Sequence, residues 1–131
     1  MDALSRLGEF AKPMKINVVV ENHGSVTSNA DWLTAVMKEV NSDNVGTLPD
    51  FGNFCMSHPW GTIQEGCDEK YDVYKGIQQM LPYAKGVSAK TYDFDGNGLQ
   101  PLLDYKRLLD IVKASGFKGY IGIEYEGIYQ P

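Results

Sequence analysis

Long apolar runs are missing from this chain of 131 residues, and none approaches the roughly 20 residues that a membrane-crossing helix needs. No secretory leader is expected in the opening residues either. Asp2, Arg6 and Glu9 interrupt the opening residues where a leader requires an unbroken apolar core. The expected setting is the cytoplasm, with no membrane partner. Basic charge is scarce: 12 lysines and arginines against 17 acids leave a net charge of −5. A nucleic-acid partner would call for a basic face, so none is expected. Cysteine is nearly absent. Cys55 and Cys67 form neither a C-x-x-C pair nor a dense framework, and they are expected as free thiols in a reducing compartment, or as incidental residues. Low-complexity segments and linkers are absent too, which leaves one domain with room for a real core.

What is present centres on Ile16-Asn17-Val18-Val19-Val20-Glu21-Asn22-His23-Gly24. A short β-branched run reads as a parallel strand buried on both faces. It ends abruptly in a carboxylate, an amide, an imidazole and a glycine. Glu21 either begins a solvated loop or belongs to a site, because ligands bind at strand tips in parallel α/β folds. The rest of the chain repeats the pattern. An amphipathic helix is expected over Ala3–Lys12, stopped by Pro13. Strands follow at Ile16–Val20, Val45–Leu48, Gly86–Lys90 and Tyr120–Glu124. Between them the periodicity predicts helices over Ala30–Val40, capped by Ser28 or Asn29, over about Glu69–Leu81, and over about Leu102–Ser115. The spacing suits strand–helix units whose right-handed crossovers lay all four strands parallel. The expected fold class is α/β, with all four polar strand tips delivered to one edge.

Side-chain parity sharpens this, since alternate strand residues share a face. Glu21, Asp50 and Glu124 can then enter one space, with Ser88 and Lys90 beside them. Three carboxylates together repel one another unless a cation intervenes. Oxygen-rich ligation with one imidazole suits Mg²⁺ or Mn²⁺, with Co²⁺ or Zn²⁺ as alternatives. The plainer alternative sends the acids to separate solvent pockets. Glu126 shares the parity of Glu124 but lies past the strand end, where loop or solvent contact is expected. The run Asp93-Phe94-Asp95-Gly96-Asn97-Gly98, followed by Asp104, imitates a calcium loop. Pro101, the Asp in place of the closing Glu, and a preceding strand favour an ordinary Asp/Asn/Gly turn.

Val-Val-Glu-Asn-His-Gly after the first strand, Asp-Phe-Gly-Asn after the second, Ser-Ala-Lys-Thr at the third and Gly-Tyr-Ile-Gly-Ile-Glu-Tyr-Glu-Gly at the last resemble the xylose-isomerase-like TIM barrels. That superfamily holds sugar-phosphate isomerases and epimerases, ketose 3-epimerases and apurinic endonucleases. The resemblance spans nearly the whole chain and implies the C-terminal half of such a barrel. The first helix would be the tail of the barrel's fourth, the strands its fifth to eighth, and the last helix would be absent. It also implies a metal held by Glu21, Asp50 and Glu124. The family's histidine falls on Ser88, which departs from the pattern and implies weaker metal binding. His23 could compensate, or act as a substrate-binding or idle loop imidazole. Lys90 would bring a cation to the carboxylates. Glu21 and Glu124 would exchange a proton α to a carbonyl, with Asp50 as a pure ligand. Asn53, His58 and Trp60 lie on the long connection after Asp50, where a sugar could meet them; a packing Trp and an exposed His are the alternative.

The expected function is a divalent-metal-dependent sugar or sugar-phosphate isomerase or epimerase acting on a small carbohydrate, or a fragment of one. A lyase or dehydratase of the same superfamily is one rival, and a non-catalytic carbohydrate-binding or assembly module is the other. Apurinic endonuclease activity fits an acidic chain least. Four strands alone leave open edges and an uncovered inner face. Self-association, or pairing with a missing half of a longer protein, is therefore expected.

Overall fold

The computed structural model describes residues 2–64 and 66–128. Helix α1 (Asp2–Ala11) ends in a single 3-10 turn at Lys12–Met14, where Pro13 lacks an amide donor. Then come β1 (Val18–Glu21), α2 (Ala30–Val40), β2 (Val45–Leu48), α3 (Val73–Met80), β3 (Val87–Thr91), α4 (Tyr105–Ala114) and β4 (Ile121–Tyr125). Asn29, rather than Ser28, caps α2: the Trp32 amide donates to its Oδ1 at 3.1 Å. Asp72 and Asp104 cap α3 and α4 in the same way, at 2.8 and 2.9 Å. The third helix was expected from about Glu69 and starts at Val73. The residues before it are drawn elsewhere, since the Met56 amide donates to the Glu69 carbonyl and the Tyr71 amide to the Phe54 carbonyl.

The strands lie side by side in chain order and all run parallel. β1 pairs with β2 from Val18–Val45 to Glu21–Leu48, and β3 with β4 from Val87–Ile121 to Thr91–Tyr125. Between β2 and β3 the ladder thins to isolated bridges, Thr47 with Ala84 and Asp50 with Ser88. The register slips by one residue between them, three positions against four, and the second bridge is made by the Ser88 amide donating to the Pro49 carbonyl at 2.9 Å and the Phe51 amide donating to the Ser88 carbonyl at 3.1 Å. The result is a partial barrel, an arc of four parallel strands.

Helices α2, α3 and α4 pack in sequence against the outer face of the arc. The core lies between: Leu33 and Met37 of α2, Ile77 and Met80 of α3, Leu108 and Val112 of α4, against Val45, Val87 and Ala89, with Phe51 and Phe54 filling the space above β2. The first strand was expected to be buried on both faces, and it is not. Val18 and Val20 turn to the core, but Val19 on the inner face is 41% exposed. At the far edge Ile123 is 86% exposed, because no described helix lies over β4.

The cysteines also differ from expectation. Cys55 and Cys67 form a disulfide with Cα atoms 5.8 Å apart. Spacing alone could not show this, because the partners meet only when the connection folds back on itself, pairing Cys55 with Lys70 in antiparallel sense. The calcium-like run forms the turn expected of it. Asp95 Oδ1 accepts from the Asn97 and Leu99 amides at 2.8 and 2.9 Å, and Asp104 is spent as a helix cap. Among the described residues, no helix is long and apolar enough to cross a membrane.

Candidate active site

Glu21 closes β1, Asp50 stands two residues past β2, Ser88 and Lys90 lie within β3, and Glu124 lies within β4. All five share the inner face. In a flat sheet the first and fourth strands would stand about 14 Å apart, at ~4.8 Å per step. Yet one carboxylate oxygen from each of Glu21, Asp50 and Glu124 lies within 4.8 Å of the other two. Curvature supplies part of this closure and side-chain length the rest. The long glutamates sit on the outer strands, while the short Asp and Ser sit on the inner pair.

Asp50 is fully buried and its surroundings are built around it. Oδ1 accepts from the Gly52 amide at 2.8 Å, while Oδ2 is enclosed without a hydrogen-bond partner. Burial pushes its carboxyl up to about 7, against the opposing pull of the Lys90 ammonium and the Gly52 amide. Ser88 has one proton to give, and it goes to Glu124 Oε2 at 3.2 Å. Burial also raises the Glu21 carboxyl; His23 opposes the rise and Glu124 adds to it. Asn53 donates to Glu21 Oε1 at 3.3 Å. Three convergent carboxylates, one of them buried with an unpartnered oxygen, are a donor set that fits a hard divalent cation.

Lys90 is the buried cation of the site. Its Nζ meets Glu124 Oε1 at 3.2 Å, Glu126 Oε2 at 3.1 Å and Asn53 Oδ1 at 3.1 Å, which uses all three of its protons. Desolvation would lower its pKa, but the Asp50 charge and the bonds to Glu126 and Glu124 outweigh it, so the ammonium is held charged. Gly52 makes room for the lysine stem, since a Cβ there would stand 2.9 Å from Lys90 Cδ. Glu126 corrects an expectation. It was assigned to loop or solvent, but the parallel ladder runs one rung past β4, with the Glu126 amide donating to the Thr91 carbonyl at 2.8 Å. The carboxylate therefore keeps the face of Glu124 and meets Lys90.

Asn22 was passed over as a loop amide. It is fully buried, donates to the Asp50 and Asn53 carbonyls at 3.0 and 2.9 Å, and accepts from the Asp50 amide at 2.8 Å. Sequence offers no signal for such a role, because an Asn after a strand is ordinary. The other expected residues come from the neighbouring loops. His23 is exposed and meets Trp60 edge to face, with ring centroids 6.1 Å apart. His58 accepts from the Trp60 amide at Nδ1, 3.3 Å away. The two loops touch where Gly24, at φ +104°, meets the Pro59 carbonyl, and a Cβ there would stand 2.2 Å from that oxygen. Among the described residues neither histidine joins the group of carboxylates that could hold a metal.

Residues 1–130 match the family described as xylose isomerase-like TIM barrel. The chain belongs to that family. Inosose dehydratase from Geobacillus thermodenitrificans is 22% identical over 147 aligned positions, covering 96% of this chain and 46% of that protein. Among solved structures of similar xylose isomerase-like barrels, L-ribulose 3-epimerase superposes with a TM-score of 0.66 at 22% identity, over 94% of this chain and 38% of that one. The 3-keto-D-glucoside 4-epimerase from E. coli gives a TM-score of 0.65 at 18% identity, over 99% and 45%. The chain thus spans less than half the length of these relatives, and its arc matches part of their barrel.

Proposed function

We propose that this chain carries one half of the active site of a divalent-metal-dependent carbohydrate isomerase, epimerase or dehydratase. The observation that carries the reading is the convergence of Glu21, Asp50 and Glu124, together with an Asp50 oxygen, Oδ2, that is buried without a partner. The names of three similar proteins, an inosose dehydratase, an L-ribulose 3-epimerase and a 3-keto-D-glucoside 4-epimerase, agree with it. Glu21, Asp50 and Glu124 would hold the ion, with Mn²⁺ or Mg²⁺ favoured by an all-oxygen set and Co²⁺ or Zn²⁺ as alternatives. When bound, the ion would polarise the substrate carbonyl and offset the negative charge that develops on its oxygen.

The chain's own residues account for the proton transfers. One of Glu21 and Glu124 takes the proton α to the carbonyl, and the electron pair moves into an enediolate. The other glutamate returns a proton from the opposite side. Return to the same carbon inverts it, return to the neighbouring carbon isomerises the sugar, and departure of a β-hydroxyl gives dehydration. His23, Asn53, His58 and Trp60 are the proposed substrate-side residues, and Lys90, whose three protons are committed, acts through the groups it holds. The Trp60 ring, 66% exposed and edge-on to His23, can pack against the C–H face of a sugar. A site shared with the other half of a barrel would also make this chain one part of an incomplete domain.

The test is twofold. Electron paramagnetic resonance titration with Mn²⁺ should show one site, lost in Asp50→Asn and weakened at least tenfold in Glu21→Gln and Glu124→Gln. Proton NMR of L-ribulose in D₂O with Mn²⁺ should show exchange of the proton α to the carbonyl. If Mn²⁺ binds without exchange, the carbohydrate-binding alternative stands instead. If Mn²⁺ does not bind, the metal-dependent reading is wrong.

A further inference from the structure

Lys90 is only 1% exposed, yet it is shared between two carboxylates. Glu124 alone, with the Asn53 oxygen, would go far towards offsetting the cost of burying the ammonium. A second glutamate on the same cation repels the first, so it adds little to holding Lys90 in place. What it does add is an acceptor at the mouth of the site. The Glu126 side chain is 47% exposed while one oxygen is fixed at 3.1 Å from Lys90, so the rest of the carboxylate is open and oriented. Its backbone is fixed too, through its amide to Thr91 and through the Gln64 side chain, which donates to its carbonyl at 3.4 Å.

We infer that Glu126 is a further substrate-binding residue, an acceptor for a hydroxyl of a neutral polyhydroxylated ligand, and that Lys90 is the positioning residue which aims it. This rests on the carbohydrate reading above and deepens it. The ligand class follows from charge. Glu21, Glu124 and Glu126 line the mouth, and all three protons of Lys90 are already committed, so a hydroxyl is welcomed where a phosphate ester would be repelled. The nearest other ammonium in the adjoining cleft, that of Lys70, donates to the Ile63 carbonyl at 3.0 Å. A ligand hydroxyl bonded to a held carboxylate gains a charge-assisted bond without the cost of ordering the acceptor.

The experiment uses the 131-residue chain loaded with Mn²⁺. The probes are L-ribulose and L-ribulose 5-phosphate, and affinity is read from paramagnetic relaxation of the sugar protons. L-ribulose should bind more tightly than its phosphate. Glu126→Gln should weaken L-ribulose about tenfold, narrow its margin over the phosphate, and leave Mn²⁺ affinity and the melting temperature unchanged. In a Lys90→Met background, adding Glu126→Gln should cost less than twofold, since the acceptor is no longer aimed; a purely structural lysine would leave the two effects additive. If L-ribulose binds but the phosphate binds as well or better, or Glu126→Gln changes nothing, the inference is overturned and the carbohydrate reading survives. If neither probe binds while Mn²⁺ does, the carbohydrate reading falls and takes the inference with it.

Discussion

Asp50 shows how one side chain can be held against its own preference. A carboxylate normally titrates near 3.8, and burial moves this one to about 7. Because the folded value is raised, the charged form opposes folding. That cost is absent below pH 4, grows between pH 4 and 7, and is present in full above pH 7. Asp50→Asn keeps an acceptor for the Gly52 amide and removes the charge. Without metal it should be more stable than wild type at pH 8, by at most about 4 kcal/mol, and should lose the decline in stability between pH 4 and 7. Urea midpoints in the presence of a chelator, taken across pH, check this; equal stability at pH 8 would mean that the carboxyl is solvated. Ser88, beside it, tests the donor set. With an imidazole in place of the hydroxyl, Ser88→His should tighten Zn²⁺ and Co²⁺ at least tenfold relative to Mg²⁺, measured by competition with a chromophoric chelator. Unchanged affinities would show that an imidazole at this position does not reach the metal.

At the level of elements, the site depends on how strand tips are tied to loops. Asn22, one residue past β1, reaches across to the backbone of Asp50 and Asn53 past β2. Ser28 joins it, donating to the Asn53 carbonyl at 2.8 Å. These bonds replace the ladder that stops at Leu48. Asn22→Ala should leave the Asp50 amide and carbonyl buried without Asn22, costing about 2–4 kcal/mol. Mn²⁺ affinity should fall with it, because Asp50 is no longer held. Denaturant melts and Mn²⁺ titrations measure both, and a variant as stable as wild type would show that water substitutes for the amide. The Cys55–Cys67 disulfide closes the loop that presents His58 and Trp60, so loop position and site composition are linked by the same segment.

On the scale of the whole molecule, the arc is unfinished. Among the described residues β1 pairs only with β2 and β4 only with β3, which leaves two strand edges with unpaired backbone groups. Val19 is exposed on the inner face, Ile121 and Ile123 on the outer face of β4, and Tyr120 is 93% exposed. Several hundred Å² of apolar surface at roughly 25 cal/mol per Å² amounts to on the order of 10 kcal/mol, comparable with the whole stability of a domain this size. The isolated chain should therefore associate through its edges at micromolar concentration, or melt broadly. Sedimentation velocity and calorimetry decide. A monodisperse 14.6 kDa monomer with a sharp melt would show that these faces tolerate water.

Strand and helix periodicity were legible in the sequence because the backbone imposes them over a few residues. The valine run, the stripe of Ala30–Val40 and the capping residues needed no distant partner. Parity was legible for the same reason, so the shared face of Glu21, Asp50 and Glu124 followed once the strands were placed. Tertiary structure alone decided the rest. Curvature drew β1 and β4 close enough for their glutamates to meet, and a one-residue slip in register thinned the ladder between the middle strands. The fold-back after Phe54 paired Cys55 with Cys67, and the ladder running on past Tyr125 kept Glu126 beside Lys90. Each of these contacts joins residues 12 to 103 positions apart. Whether such residues meet depends on the packing of everything between them, which no local pattern encodes.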